Sequence, residues 1–263
     1  MSRAEALAAV PAPRLLDSPW FLRLAAGAAL LLAWELVVRG FAPGYVARPS
    51  GVARALWPVL SDAKFLAAAG ATLGAVLAGL AISIVAGTAV GMLMGRARLV
   101  EAGLRYYVNS LFATPMVAIL PFATLWFGYT GDARLAVVAF AAFFSITVNA
   151  ADGARSVPRE YLEVAGAFRA TGWRTVLDVV LPASLPYLIA GVRLAAGRAL
   201  VGAVVAEFFT SVPGLGYYIL FNSRTFKHDE AFVAVVVLVV AGVTFEALLN
   251  WLARRYLPWA RRS

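Results

Sequence analysis

The chain has 263 residues, of which 62% are hydrophobic and 14% charged, and its mean hydropathy is +0.81, whereas a soluble domain of this size needs about 25% charged residues and more polar surface to cover its core. The absence of cysteine excludes disulfides and thiolate metal sites, and the lone His228 leaves little scope for imidazole catalysis or metal ligation. A formal charge of +9 without a basic run or basic-aromatic stripe points to arginine-rich cytoplasmic loops of a membrane protein and not to nucleic acid.

Crossing the hydrocarbon core takes roughly 20 mainly apolar residues, and six segments qualify. Residues 1–20 form a cytoplasmic tail in which Pro11, Pro13, Asp17 and Pro19 interrupt the approach to the first apolar run. That run, about 21–38, therefore reads as a retained span and not as a cleaved leader. An interfacial helix near 52–60 follows, opened by Pro49 and capped by Ser50. The second span lies within 65–95, 31 residues without a charge. Its Gly87, Gly91 and Gly95, like Gly70 and Gly74 before them, recur every fourth residue, a spacing that lets helix backbones approach closely in lipid.

The third span, about 108–127, holds Pro115 and Pro121, each of which removes a backbone donor and predicts a kink or a break. Irregular backbone is tolerated where protein or a water-filled cavity covers it, so these prolines either line a pathway or bend the helix. A fourth span covers about 135–151, a fifth about 185–210 and a sixth about 231–252; residues 259–263 are a second cytoplasmic tail. The whole predicts an all-α, polytopic bundle with one transmembrane domain over 21–258. With both ends inside, 14 lysines and arginines fall in cytoplasmic segments against 7 outside, which orients the chain by the positive-inside rule.

Ionisable residues inside spans are functional hypotheses by default. Glu35 with Arg39, and Glu246 with Asn250 and Arg254, recur at helical spacing and read as helix-surface pairs near span ends. Arg193 is placed to snorkel to the cytoplasm. Arg198 lies five residues deeper, about 7.5 Å at helical rise. Glu207 is nine residues further and half a turn out of phase, so the two cannot pair. Arg198 thus faces a carboxylate or carbonyl on another helix, or a translocation cavity.

Between the fourth and fifth spans, residues 156–182 are too long for a simple turn. Ser156, Pro158 and Glu160 make a helix start, Tyr161, Val164, Ala165 and Phe168 share one apolar face, and Gly172 ends or bends the helix. A second amphipathic stretch, 173–181, runs into Pro182. Such an element either docks a partner or lies flat on the membrane.

Glu163-x-Ala165 followed by Leu181-Pro182 resembles the EAA loop of binding-protein-dependent ABC importer permeases. Pro115-x-x-Ala118-x-x-Pro121 with Trp126-Phe127-Gly128 resembles their nitrate/sulfonate/taurine branch, as do Ala206-Glu207, Gly214-Leu215-Gly216-Tyr217 and Pro49-Ser50. The likeness covers roughly residues 30–258 in the family's order. It implies the type I importer permease fold in a bacterial inner membrane, and a coupling helix, with Glu163, Ala165, Gly172, Leu181 and Pro182, seated in an ATPase groove. From the intramembrane charge and the proline-broken span, the candidate pathway residues are Pro115, Pro121, Arg198 and Glu207. The implied partners are an ATP-binding subunit, an extracytoplasmic solute-binding protein, a second permease copy and lipid. The implied solute is a small anion such as a sulfonate, taurine or nitrate, with a thiamine-precursor pyrimidine as the alternative.

One departure stands out: where the family carries glycine six residues after the glutamate, this chain has Arg169, with Gly172 three residues later, which predicts a shifted turn. No phosphate-cradling Gly-x-x-x-x-Gly-Lys-Ser/Thr loop surrounds either lysine, Lys64 or Lys227. The chain is therefore expected to be non-catalytic and without cofactor, ATP and magnesium being bound by the partner. A gradient-driven transporter would show an inverted repeat and buried acidic ion ligands, and a membrane enzyme a cluster of His, Asp or Glu; the sequence shows neither.

Overall fold

The computed structural model describes residues 19–170 and 172–256; both predicted tails lie almost wholly outside them. The order is α1 (Pro19–Phe41), α2 (Pro49–Leu60), α3 (Ala63–Arg96), α4 (Arg98–Ala113), α5 (Met116–Phe127), α6 (Gly131–Arg155) and α7 (Arg159–Ala167). Then α8 (Trp173–Thr175) passes through a π-helical turn (Val176–Val180) into α9 (Leu181–Thr210), followed by α10 (Leu215–Arg224) and α11 (His228–Tyr256). No strand occurs among the described residues.

Five helical stretches are long and apolar enough to span, and the sixth predicted span is a bent pair. Here the structure corrects the expectation of a single third span over 108–127. Helix begins ten residues earlier, at Arg98, and α4 and α5 meet at 103° across Thr114–Pro115. Pro115 supplies the break, because its ring bars the preceding residue from α conformation; Thr114 sits at ψ 130°. Pro121 remains inside α5, which at 12 residues is only about 18 Å long.

The centre of the bundle is α6, flanked by α3 and α9. In lipid no hydrophobic force draws helices together, so close van der Waals packing between small residues must do it. On α6, Val138, Ala142, Ile146, Ala150 and Ala154 recur every fourth residue and are fully buried, in one core cluster with Ala195, Ala199 and Ala203 of α9. The Gly87, Gly91 and Gly95 stripe lies on α6 as expected. A Cβ at Gly91 would stand 2.5 Å from both the Ala150 Cβ and the Thr147 carbonyl oxygen. Gly70 and Gly74 differ: a Cβ at either meets nothing within 4 Å, so their spacing has no packing consequence within this chain. Ser83 Oγ adds a hydrogen bond to the Ala139 carbonyl at 2.9 Å between α3 and α6.

Two predicted caps are reassigned. Ser50 caps nothing; the N-cap of α2 is Arg48, and Ser50 instead gives its N–H and Oγ–H to Glu35 at 2.9 and 2.8 Å. The Glu35–Arg39 pair forms as read, at 2.6 Å, but Glu35 also ties α1 to α2. Ser156 closes α6, its Oγ donating to the Gly153 carbonyl at 2.9 Å, and does not open α7.

Gly91→Leu is expected to destroy the folded chain, read as loss of the monodisperse peak, since overpacking costs on the order of 3 kcal/mol and leucine's helix propensity alone would stabilise. Gly70→Ala and Gly74→Ala should leave the melting temperature unchanged or slightly raised.

Candidate coupling surface and translocation path

Below the end of α6, α7 is keyed into the core from one side only. Ala165 is 6% exposed, and Leu162 packs with Val157, Val176, Val180 and Leu181. The other side is bare: Tyr161 and Val164 are 57% exposed and Phe168 84%. The shared apolar face of the sequence reading is therefore split, with Ala165 turned to the core. Glu163 is exposed and, among the described residues, has no side-chain partner.

The turn after α7 is not shifted. Phe168 is the C-cap and Arg169 itself takes the left-handed conformation, φ 56°. Its N–H donates to the Gly166 carbonyl and that of Ala170 to the Ala165 carbonyl, both at 2.9 Å. These are the two bonds of a Schellman motif, which normally places glycine where Arg169 stands. Gly172, at φ 58°, does not end α7; it is the N-cap of α8. The π turn that follows has a local cause. Pro182 has no N–H to give to the Asp178 carbonyl, and the Leu181 N–H reaches back to Val176 instead. Leu181, half-buried, packs on the core at the start of α9, so of the five predicted coupling residues Ala165 and Leu181 face the core while Glu163, Gly172 and Pro182 are exposed.

The predicted pathway residues separate. Pro115 marks the α4–α5 break, and Pro121 borders a cavity of about 570 Å3 with Leu120, Thr124, Tyr129 and Phe209. Arg198, midway along α9, donates to the Phe112 carbonyl at 3.3 Å, with its guanidinium carbon 3.9 Å from the centre of that ring. It meets a carbonyl left without a helical partner by the break, one of the partners anticipated, and brings positive charge to a helix C-terminus. Arg193 donates to Asn250 and joins α9 to α11. The predicted pairing of Asn250 along α11 gives way to this cross-helix bond, and Glu246 has no ion pair among the described residues.

Glu207 lines no open space. Its side chain is fully buried; Oε1 accepts from Thr72 Oγ1 at 2.8 Å and from Arg134 Nη1 at 3.0 Å, and Oε2 from the Gly216 N–H at 2.7 Å. Thr72 Oγ1 in turn accepts the Leu215 N–H at 2.8 Å, and Arg134 also donates to the Pro213 carbonyl at 3.0 Å. Gly214 and Gly216 press so close that a Cβ on Gly216 would lie 2.7 Å from the Val204 carbonyl oxygen. One carboxylate thus ties α3, α6 and α9 to the start of α10.

Sequence reasoning missed Arg134 and Thr72. Arg134 counted as an outer-loop charge, and Thr72 is the only hydroxyl in the first half of an otherwise apolar helix, a signal that was available. Asp229 was missed as well: it accepts the Arg48 N–H at 3.2 Å and packs on Gly51, fastening α11 to α2.

Glu207→Ala is expected to cost about 3 kcal/mol or more, because it strands a partly buried arginine; adding Arg134→Ala should recover part of the lost melting temperature. A double variant no more stable than the single would show that the pair carries no coupling.

The family described as a binding-protein-dependent transport system inner membrane component matches residues 83–262. The formylaminopyrimidine transport permease protein ThiX of Halalkalibacterium halodurans is 31% identical over 235 residues, 89% of this chain and 94% of its own. The nitrate import permease protein NrtB of Leptolyngbya laminosa is 28% identical over 87% of this chain and 85% of its own. A chain of the MetNI methionine ABC transporter shares the fold, with a TM-score of 0.63 over 73% of this chain and 95% of that one at 19% identity.

Proposed function

The chain belongs to the family of binding-protein-dependent inner membrane transport components, and from that premise we propose how its parts divide the work of an ABC importer permease. Two copies pair in the membrane, an ATPase subunit binds beneath each α7, and a solute-binding protein docks on the outer face. ATP and magnesium sit in the ATPase; this chain performs no hydrolysis. Both termini lie in the cytoplasm.

The observation that carries the coupling role is the one-sided seat of α7. Ala165 and Leu162 are buried while Tyr161, Val164 and Phe168 stand bare around Glu163. A helix on the cytoplasmic side with three exposed apolar side chains needs an apolar groove to cover them. Closure of two ATPases moves the two α7 helices together. Because α7 packs on the π turn and the end of α6, that displacement passes to α6 and α9 as rigid bodies. Pro115, Pro121 and Arg198 lie along the path, and Glu207 stands behind it as the strut of the outer end.

The solute is a small organic or inorganic anion, a reading supported by the arginines near the α4–α5 break and by likeness to a nitrate permease. Likeness to a formylaminopyrimidine permease favours a thiamine-precursor pyrimidine as the second reading.

Glu163→Lys, or Tyr161→Ala with Phe168→Ala, is expected to lower permease-stimulated ATP hydrolysis at least about tenfold, the loss of a contact worth 1.4 kcal/mol or more, with the bundle's melting temperature unchanged. Ala165→Trp should do the same by lifting α7 from its seat. ATPase copurification and stimulation that survive all three would place docking elsewhere. Reporter fusions should find Glu163 in the cytoplasm and His228 outside; an external Glu163 would overturn orientation and coupling together.

A further inference from the structure

Helix α4 carries a polar stripe that neither the coupling contact nor the outer strut uses. Arg98, Glu101, Arg105 and Asn109 follow at three- and four-residue spacing, with Tyr106 and Ser110 beside them, and border an open cleft of about 850 Å3. The packed edge adjoins the stripe: Val108 and Phe112, three and seven residues after Arg105, join Met94, Phe144 and Ala151 in a core cluster. Leu104 and Leu111, 39% and 40% exposed, look away from the stripe.

The depth of this stripe is fixed at both ends. Glu101 pairs with Arg155, the last residue of α6, and the Phe112 carbonyl meets Arg198 midway along α9. Asn109, one turn before Phe112, therefore sits within the hydrocarbon thickness. It is exposed, and among the described residues its amide has no hydrogen-bond partner. An amide facing lipid is costly, so this one faces water or protein. The charge balance near the cleft is positive: Arg98, Arg105, Arg155 and Arg198 stand against two carboxylates, Glu101, which pairs with Arg155 and at 3.7 Å with Arg105, and Asp152, which pairs with Arg155.

We infer that the α4 stripe is the wall of a water-filled inner vestibule that selects small anions, with Arg105, Tyr106, Asn109 and Ser110 contacting the solute between the cytoplasm and Arg198. This rests on the permease reading and adds the residues that discriminate. An anion in the cleft is drawn by the arginines while Asn109 and Tyr106 offer donors at fixed spacing; a cation meets the same field with opposite sign.

The native chain has no cysteine, so single cysteines report without background. The full importer complex is placed in nanodiscs, where both faces are open to reagent, with Tyr106→Cys, Asn109→Cys and Ser110→Cys on the stripe and Leu104→Cys and Leu111→Cys off it. Each is treated with an anionic (sulfonatoethyl) or cationic (trimethylammonioethyl) methanethiosulfonate, with rates scaled to Lys64→Cys in the exposed outer segment. Stripe positions should react and Leu104→Cys and Leu111→Cys should not. The anionic reagent should be about tenfold faster at Asn109→Cys, a preference that Arg105→Ala reduces. Unreactive stripe positions would show that a second copy or another segment seals α4, and equal or reversed reagent preference would remove anion selection; either overturns the inference. Stimulated ATP hydrolysis by the untreated cysteine variants checks the permease reading separately, and Ser110→Cys serves if Asn109→Cys does not assemble.

Discussion

Backbone-to-backbone approach across α6 is the constraint from which the rest of the bundle follows. On the α3 side Gly87, Gly91 and Gly95 leave no space for a side chain, and on the α9 side Gly191 lies against Asn149 and Ser145. Lipid contributes nothing to such contacts, so their strength comes from the number of atoms at van der Waals distance, which falls steeply with a gap of half an ångström. A bundle held this way is stiff along its axis. Its small residues also cannot be replaced by larger ones to tune stability, and specificity for one helix arrangement has to come from elsewhere.

Elsewhere is the end of the bundle away from α7, where carboxylates do the fixing. Glu207, Asp229 and Glu35 each accept a backbone N–H from a different helix or its cap: Gly216, Arg48 and Ser50 respectively. A charged acceptor binds a peptide N–H about twice as strongly as a neutral one, and in each case the donor lies at or beside the start of a helix, where such donors lack intrahelical partners. The same device therefore does two things at once: it satisfies orphan donors, and it pins α10 onto the three-helix core and α2 onto α1 and α11. Arg198 is the mirror case, a cation meeting a carbonyl freed by the α4–α5 break. Both arise because in a bilayer an unpaired backbone group has no solvent to turn to.

Spans were legible because hydropathy over 20 residues is a strong signal, and the five straight spans fall within a few residues of their predicted limits. The third was not, because the apolar window began at Val108 and concealed that helix starts at Arg98; α4 is amphipathic, so a hydropathy window reads its first half as loop. Pro115 announced a break, but the sequence carried no measure of its angle. Glu207 was legible as unusual and misplaced in role: its partners Thr72 and Arg134 are 135 and 73 residues away, and no local pattern brings them together. Ser50 and Ser156 followed cap statistics that the tertiary structure overrode, one drawn to Glu35 and the other to the end of the preceding helix.

Arg169 shows how far the surrounding structure decides a local conformation. A non-glycine residue in the left-handed region costs roughly 1–2 kcal/mol, and Gly172, three residues on, offered a position with no such cost. Moving the turn there would lengthen α7 by about a turn. A continued helix would satisfy the carbonyls of Ala165 and Gly166 equally well through the Arg169 and Ala170 N–H groups, but Gly172 could no longer start α8. Thr175 Oγ1, which now donates to the Ala170 carbonyl at 3.0 Å, would lose its acceptor. The start of α9 would also shift relative to α7, although Leu181 is fixed in the core by the π turn that Pro182 imposes. Strain at one residue is thus smaller than the sum of the contacts that a shifted turn would break. The length of α7, and with it the position of Phe168 at its exposed end, is set by the packing of α6 and α9 beneath it and not by the residue at the turn.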